Sequence, residues 1–408
     1  MMKRTLIFIL MVSLVSSAVM AGGYQVRLQG NKQTGMGLVG TSLSHDASSI
    51  FYNPGALPML KDKWSISAGM SSIYGLIRFR MEDSDYQAKT NNPVRTPFYL
   101  YLNGKITDRL SAGVGVYTPY GSTAKWDEDW AGKELIQDIS MQTIFVQPTV
   151  AYKILDNLSI GAGFVYVNGK VELHKAVPYS TPEVAGQAFL EGTTSAYGAN
   201  FGVFYSPTKK LHLGLNYRSY IKMKLDGGDA HFTIPSSVEP LVPKHNKFDA
   251  ELPLPGNIDF GFTYDATDKL KVSAELNFVQ WGVYDSLAFT FEQKPESLNS
   301  SNPRLYSDRM IYRIGFEYDL MDEITLRCGG YYDQTPTNDQ YFNPETVSLD
   351  NYAFTFGMSM RPLKGLSIDL SYLQIETQTT TKSYAPASFT GDYKVRSFIP
   401  GLGITYNF

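Results

Sequence analysis

Ala151-Tyr152-Lys153-Ile154-Leu155-Asp156-Asn157-Leu158-Ser159-Ile160-Gly161 is the stretch whose reading decides the fold. Residues alternate with period two on either side of Leu155-Asp156-Asn157, so it reads as strand, tight turn, strand. The same unit recurs from Trp64 onward. Further tight turns stand at Thr107-Asp108-Arg109, Thr208-Lys209-Lys210, Thr267-Asp268-Lys269, Met321-Asp322-Glu323 and Leu363-Lys364-Gly365, which makes six. Between them lie seven longer segments rich in Pro, Gly and charge: 80–94, 127–138, 174–192, 226–250, 291–306, 334–350 and 385–390. Six turns and seven loops make thirteen connections, hence fourteen strands. An even strand number, with short turns at one end and long loops at the other, is the pattern of a bacterial outer-membrane barrel. The prediction is an all-β chain folded as a fourteen-stranded antiparallel transmembrane β-barrel over residues 64–408, with both chain ends at the short-turn end.

Finer patterns agree. Tyr152, Tyr205, Tyr264 and Tyr318 each stand three residues before a turn begins, which places them at one height as an interfacial aromatic girdle. The last strand puts Leu402, Ile404, Tyr406 and Phe408 on one face and Gly401, Gly403, Thr405 and Asn407 on the other. Its terminal aromatic resembles the signal that barrel-assembly machinery reads. The same alternation turns Leu211, Leu213, Leu215, Tyr217, Tyr352, Phe354 and Phe356 to lipid. It turns His212, Asn216, Arg218 and Lys222 to the lumen, together with Asp259, Glu275, Arg313, Glu317, Arg327 and Asp369. Mixed charge inside the lower barrel is expected to form a salt-bridge belt with a structural role.

Composition narrows the class. Of 408 residues, 18% are charged, against about 25% in ordinary soluble domains, and 13% are aromatic. A net charge of −3 argues against a nucleic-acid partner. Cys328 is the single cysteine, which excludes an intrachain disulfide framework and a multi-thiolate metal site. The histidines at 45, 174, 212, 231 and 245 lack zinc spacing, and there is neither a G-x-S-x-G elbow nor a phosphate loop. No metal, cofactor or catalytic residue is expected. Met1-Met2-Lys3-Arg4, then the apolar run to Met20, then Ala21-Gly22, reads as a secretory signal peptide over 1–21. The mature chain is then an exported protein of the bacterial outer membrane.

Residues 22–63 break the strand pattern, with seven glycines and the run Ser44 to Leu57. Fourteen strands enclose more space than side chains alone fill, so this segment is expected to fold into the lumen as a plug. Strand 158–173 sets Val165, Val167 and Val171 opposite Phe164 and Tyr166. If the valine face is the inner one, it lines an apolar passage.

Residues along the chain resemble the FadL family of outer-membrane transporters for long-chain fatty acids and other hydrophobic compounds. The Gly-rich segment ending in Asn53-Pro54-Gly55 is similar to that family's N-terminal hatch. Tyr120 to Lys133 resembles its third strand and the following loop. Gln147 to Lys153 with Leu158 to Gly163, and Leu252 to Gly256 with Val279-Gln280-Trp281-Gly282, resemble later hairpins. The resemblance covers the mature chain. It implies a hatch in a fourteen-strand barrel and passive uptake of hydrophobic solutes, with an inward kink of the third strand opening a lateral exit. Here Gly55 stands where the family's hatch tripeptide carries Ala, which loosens the backbone.

On that basis the hatch residues are Asn53, Pro54 and Gly55, and the lateral-gate residues are Pro119, Tyr120, Gly121 and Pro148. Neither proline donates to a ladder, and symmetry about loop 127–138 sets the two at similar height. Loops 127–138 and 174–192, with Trp126 and Trp130, are expected to form an outer capture surface. Val165, Val167, Arg218 and Lys222 are further ligand-binding candidates. The expected partners are hydrophobic small molecules, outer-membrane lipid, lipopolysaccharide and the barrel-assembly machinery, with the chain a monomer. A general porin and an adhesin-type structural barrel are the alternatives, separable by ion conductance and by surface binding.

Overall fold

The computed structural model describes residues 23–177, 186–234, 243–293 and 299–408. The expected signal peptide lies outside them, as do parts of loops 174–192, 226–250 and 291–306. The wall begins with β1 (Trp64–Ser71 and Tyr74–Met81), β2 (Gln87–Lys89 and Phe98–Lys105), β3 (Leu110–Tyr117 and Gly121–Lys125) and β4 (Asp138–Leu155). It continues through β5 (Leu158–Val177), β6 (Gly186–Tyr205), β7 (Leu211–Arg218 and Ile221–Thr233) and β8 (His245–Leu254 and Asn257–Asp265). Next come β9 (Leu270–Val279 and Ser286–Phe291), β10 (Ser300–Pro303 and Arg309–Met321) and β11 (Ile324–Asp333). The last are β12 (Asn351–Leu363), β13 (Leu366–Thr377 and Thr380–Tyr384) and β14 (Phe389–Asn407). Neighbours pair antiparallel, and β1 closes on β14 from Ser65 opposite Asn407 to Ser71 opposite Gly401. The fourteen-stranded barrel is as the alternation predicts. Pairing of β1 with β14 satisfies the two end strands, as a sheet in lipid requires.

The outside is the apolar face. Leu100, Phe260, Phe262, Phe354, Phe356, Leu402 and Ile404 are exposed, an arrangement that lipid solvates and water does not. Tyr152, Tyr205, Tyr264 and Tyr318 are exposed too, each opposite a leucine of its neighbour: Leu110, Leu158, Leu211 and Leu270. They form one level around the periplasmic end. On the extracellular side the strands run further than the loops read from sequence. His174 to Val177, Gly186 to Gly192 and Asp226 to Thr233 are strand. Polar residues face out there, so hydrophobic alternation fades while the backbone ladder continues.

The lumen is filled by the chain from Gly23 to Leu60, which carries α1 (Asn31–Thr34), α2 (Ser49–Tyr52) and a 3-10 turn (Pro54–Met59). Nearly all of it is buried. Backbone can approach the wall closely because several inward positions are glycine. A Cβ on Gly214 would collide with the Thr41 carbonyl, one on Gly161 with Pro54, and one on Gly315 with Met36. The inward charges then clamp this segment. Arg27 Nη1 pairs with Asp259 at 2.8 Å and Nη2 with Glu275 at 2.7 Å. Gly40 and Thr41 N–H donate to the other Glu275 oxygen at 3.0 and 2.9 Å. Lys32 pairs with Asp46 at 2.7 Å and approaches Asp369 at 3.7 Å. His45 meets Glu317 at 3.0 Å, and Lys271 and Arg327 hold the same carboxylate. The charged belt therefore joins plug to wall.

Candidate functional site

The wall is irregular in β3, where its two segments meet. Tyr117 pairs with Phe145 and Gly121 with Gln142, so three residues, Thr118 to Tyr120, face only Thr143 and Ile144. The extra residue is a bulge that carries a proline. The backbone groups freed here find partners inside, as buried groups must. Gln29 Nε2 donates to the Thr118 carbonyl at 2.8 Å, and Val26 N–H donates to the Pro119 carbonyl at 2.7 Å. Thr143 Oγ1 donates to the Tyr120 carbonyl at 2.8 Å, and Gly121 N–H donates to the Tyr24 carbonyl at 2.9 Å. The first residues of the plug thus act as a short substitute strand for β3.

On its other side β3 loses β2. Phe98 N–H still donates to Thr118 Oγ1 at 3.0 Å, and Asn91 N–H reaches the Lys125 carbonyl at 2.7 Å. Between those points no backbone hydrogen bond joins β2 to β3 among the described residues, because residues 93–97 turn toward β1. A cavity of about 370 Å3 occupies the gap. It is lined by Met141 and Thr143 from the inner face of β4 and by Gln142 and Ile144 from the outer face, so it passes through the wall. Val26, Ile73, Ile77 and Val347 complete an apolar inner side. A narrower cavity of about 40 Å3 lies deeper, among Ile139, Val171, Leu173, Leu190, Phe248 and Leu252. The two share Ser122, Met141, Glu345 and Thr346 as lining. Glu345, the carboxylate on both, is neutralised by a buried ion pair with Arg304.

Pro119, Tyr120 and Gly121 sit at the bulge. Tyr120 points inward and its Oη donates to the Pro255 carbonyl at 2.9 Å. Pro148 does not belong there. It pairs with Val114, well below Pro119, and faces outward. The β4–β5 ladder skips Gln147 and Pro148 and resumes in the same register, so the missing N–H is absorbed without a bulge. The two prolines differ in height because the 127–138 hairpin closes at Lys125 opposite Asp138, off the symmetric centre.

Asn53, Pro54 and Gly55 touch the wall elsewhere. Asn53 Nδ2 donates to the Thr41 carbonyl at 2.7 Å and to the Val203 carbonyl of β6 at 2.9 Å, and its Oδ1 accepts from Gly55 N–H at 2.9 Å. Ser159 Oγ donates to the Gly55 carbonyl at 2.5 Å. The tripeptide is seated on β5 and β6, and the backbone contact with the bulge of β3 is made by Tyr24 to Val26 instead. Sequence reading missed those residues and Gln29, since nothing local marks them as strand partners. Asn53→Ala leaves two buried carbonyls and one N–H without their partner, a cost of about 1–3 kcal/mol to plug docking. Hydrogen exchange at residues 40–56 is expected to accelerate accordingly, and unchanged protection would contradict this anchoring.

Trp126 and Trp130 are not an exposed capture surface. They are 2% and 1% exposed and stacked 4.1 Å apart within a cluster containing Phe79, Phe389 and Tyr393. Aromatic area of that size is buried where partners exist. Of loop 174–192, residues 178–185 lie outside the described ones. Val165 and Val167 face inward and belong to the core around Phe145, Ile221 and Met223, lining neither cavity. Arg218 also faces inward. It donates to Tyr117 Oη and to the Phe51 carbonyl, both at 2.8 Å, and lies 4.4 Å from the Phe51 ring centre. It is therefore engaged with the plug. Lys222 points outward and pairs with Glu251 at 2.6 Å. Strand β7 is interrupted at Ser219-Tyr220, which shifts the alternation by one and brings Ile221, Met223 and Leu225 inside.

The family model described as outer membrane protein transport protein (OMPP1/FadL/TodX) matches residues 12–408. A long-chain fatty acid transport protein of Salmonella typhi is 23% identical, with 97% of each chain covered. The crystal structure of a Pseudomonas aeruginosa FadL homologue superimposes with a TM-score of 0.81 at 20% identity, covering 95% of this chain and 100% of that one. The P. putida toluene transporter TodX gives 0.74 at 16% identity, covering 95% and 99%.

Proposed function

Because this chain belongs to the outer membrane protein transport family (OMPP1/FadL/TodX), we propose that it takes up long-chain fatty acids or aromatic hydrocarbons through its own wall. It is an outer-membrane channel for hydrophobic compounds. Relatives named for fatty acid transport and for toluene transport frame the substrate class. The observation that carries the route is the cavity of about 370 Å3 at the β2–β3 break, lined by both faces of β4. Each methylene moved from water to an apolar site contributes about 0.8 kcal/mol, so such a passage captures a lipophile without an energy source. Release into the membrane through the break at Pro119 is then downhill.

In this reading residues 1–21 are the removed signal, 22–63 the hatch and 64–408 the channel wall. The chain works as a monomer, surrounded by lipopolysaccharide outside. Phe408 ends the strand that the assembly machinery reads. A general porin is disfavoured by the plug, whose buried ion pairs and hydrogen bonds occupy the lumen.

The test is uptake of radiolabelled oleate and toluene by cells that lack their own transporter and express this chain, with folding checked by heat-modifiable gel migration. Accumulation well above empty-vector cells is expected for at least one of the two. Folded protein that accumulates neither, yet conducts ions in planar bilayers, would overturn the reading in favour of a porin.

A further inference from the structure

Arg95 stands where the wall is open. Its backbone pairs with Ile73 of β1, but its side chain crosses the gap. Nε donates to Thr123 Oγ1 of β3 at 2.7 Å, and Nη2 donates to Ser140 Oγ of β4 at 2.9 Å. It is half-buried and lines the through-wall cavity on its outer rim. Of the inward arginines, 27, 304, 313 and 327 each face a carboxylate, and Arg218 is spent on the Tyr117 hydroxyl and the Phe51 carbonyl of the plug. Arg95 has no carboxylate within ion-pair distance among the described residues: its fork ends on neutral hydroxyls, with Asp138 and Glu172 farther off along the polar recess beside it. A guanidinium fork with neutral partners at the mouth of an apolar cavity is a preformed anion site.

Its height fits one kind of ligand. Ser140 lies opposite Glu172, and just below it Gln142 lies opposite Lys170 and Ile144 opposite Asn168. Further down, the outward residues of β5 are apolar: Ile160 and Phe164. The rim at Arg95 therefore sits at the polar boundary of the outer leaflet, with apolar lining beneath it. We propose that Arg95 is the residue that selects carboxylates at the exit. A straight-chain monocarboxylate lies with its tail in the cavity and its carboxylate on the guanidinium, taking the place of the Thr123 and Ser140 hydroxyls. This rests on the lateral-exit reading above and adds to it the recognition of the headgroup.

The experiment compares uptake of radiolabelled oleate and oleyl alcohol, equal in length and differing in charge, in cells expressing wild type, Arg95→Gln or Arg95→Lys. Arg95→Gln is expected to lower oleate uptake about tenfold or more, as loss of a charge-assisted bond implies. Oleyl alcohol uptake should stay within about twofold, and Arg95→Lys should fall between. Equal losses for both solutes would overturn the proposal, making Arg95 a strap for the wall or an anchor for lipopolysaccharide phosphate. No loss for either would overturn it as well. If deletion of Pro119 leaves uptake of both solutes intact, the lateral-exit reading fails and Arg95 with it. If that deletion stops uptake but Arg95→Gln does not alter it, only the role of Arg95 fails.

Discussion

Deletion of Pro119 is expected to abolish uptake while leaving a folded barrel. Thr118, Pro119 and Tyr120 oppose two residues of β4, so removing one restores a two-for-two match. The faces survive the deletion. Tyr117 is inward and Gly121 lies on the outward face at present, and a regular strand with Pro119 absent keeps Tyr120 inward between them. The change removes the bulge and the residue that lacks an N–H in one step, and lets β3 continue toward β2. Val26 loses its acceptor at the Pro119 carbonyl, which costs about 1 kcal/mol, a small amount against several new ladder bonds. Heat-modifiable migration should persist to an equal or higher temperature. Uptake should fall to the empty-vector level, more than about tenfold if the break is the sole exit. A folded variant that still transports would place the exit elsewhere. Pro119→Val alone is a weaker lesion, because the extra residue and its bulge remain.

What could be read from the sequence divides along one physical line. The fourteen strands and their faces follow from period-two alternation, which each strand carries within itself. The tyrosine level was legible because Tyr152, Tyr205, Tyr264 and Tyr318 keep a fixed distance to their turns. Residues whose role depends on a distant partner were not legible. Arg27 is unremarkable in the chain, yet it meets Asp259 and Glu275 more than two hundred positions away. Asn53 is legible as a hatch residue, but which wall backbone its amide meets, that of Val203 in β6, is set by packing.

Alternation carried across Ser219-Tyr220 turns Lys222 to the lumen, whereas the break in β7 turns it out. A warning was present in Pro255-Gly256, which sits opposite that break and interrupts β8. The prolines at 119 and 148 show the same limit from the other side. A missing donor matters only when its N–H would have pointed at a neighbour, and one residue of loop asymmetry changes which neighbour that is. The indoles of Trp126 and Trp130 face no such ambiguity of register. Their burial depends on Phe79, Phe389 and Tyr393, brought in from β1 and β14.

Arg27→Met is expected to loosen the plug more than any other single change. It leaves Asp259 and Glu275 buried with their main counter-charge gone, and breaking a buried pair from one side costs about 3–5 kcal/mol. Arg313, at 3.4 Å from Glu275, compensates in part. Among the described residues, Asp259 then keeps the Asn216 amide at 3.0 Å as its hydrogen-bond partner and no ion pair. The wall does not depend on this arginine, since its strands are closed by backbone pairing from β1 to β14. The variant should therefore insert and remain heat-modifiable. In planar bilayers it should conduct ions in long openings that wild type shows rarely, and exchange at residues 24–60 should speed up by about a hundredfold or more. The cost belongs to the stranded carboxylates and not to the lost stacking of the guanidinium on Phe51 and Tyr52. Adding Asp259→Asn and Glu275→Gln to Arg27→Met should accordingly recover much of the protection, because a neutral buried cluster is tolerated far better than a broken ionic one. A triple variant as leaky as the single one would show that the stacking of the guanidinium on Phe51 and Tyr52 is what holds the hatch.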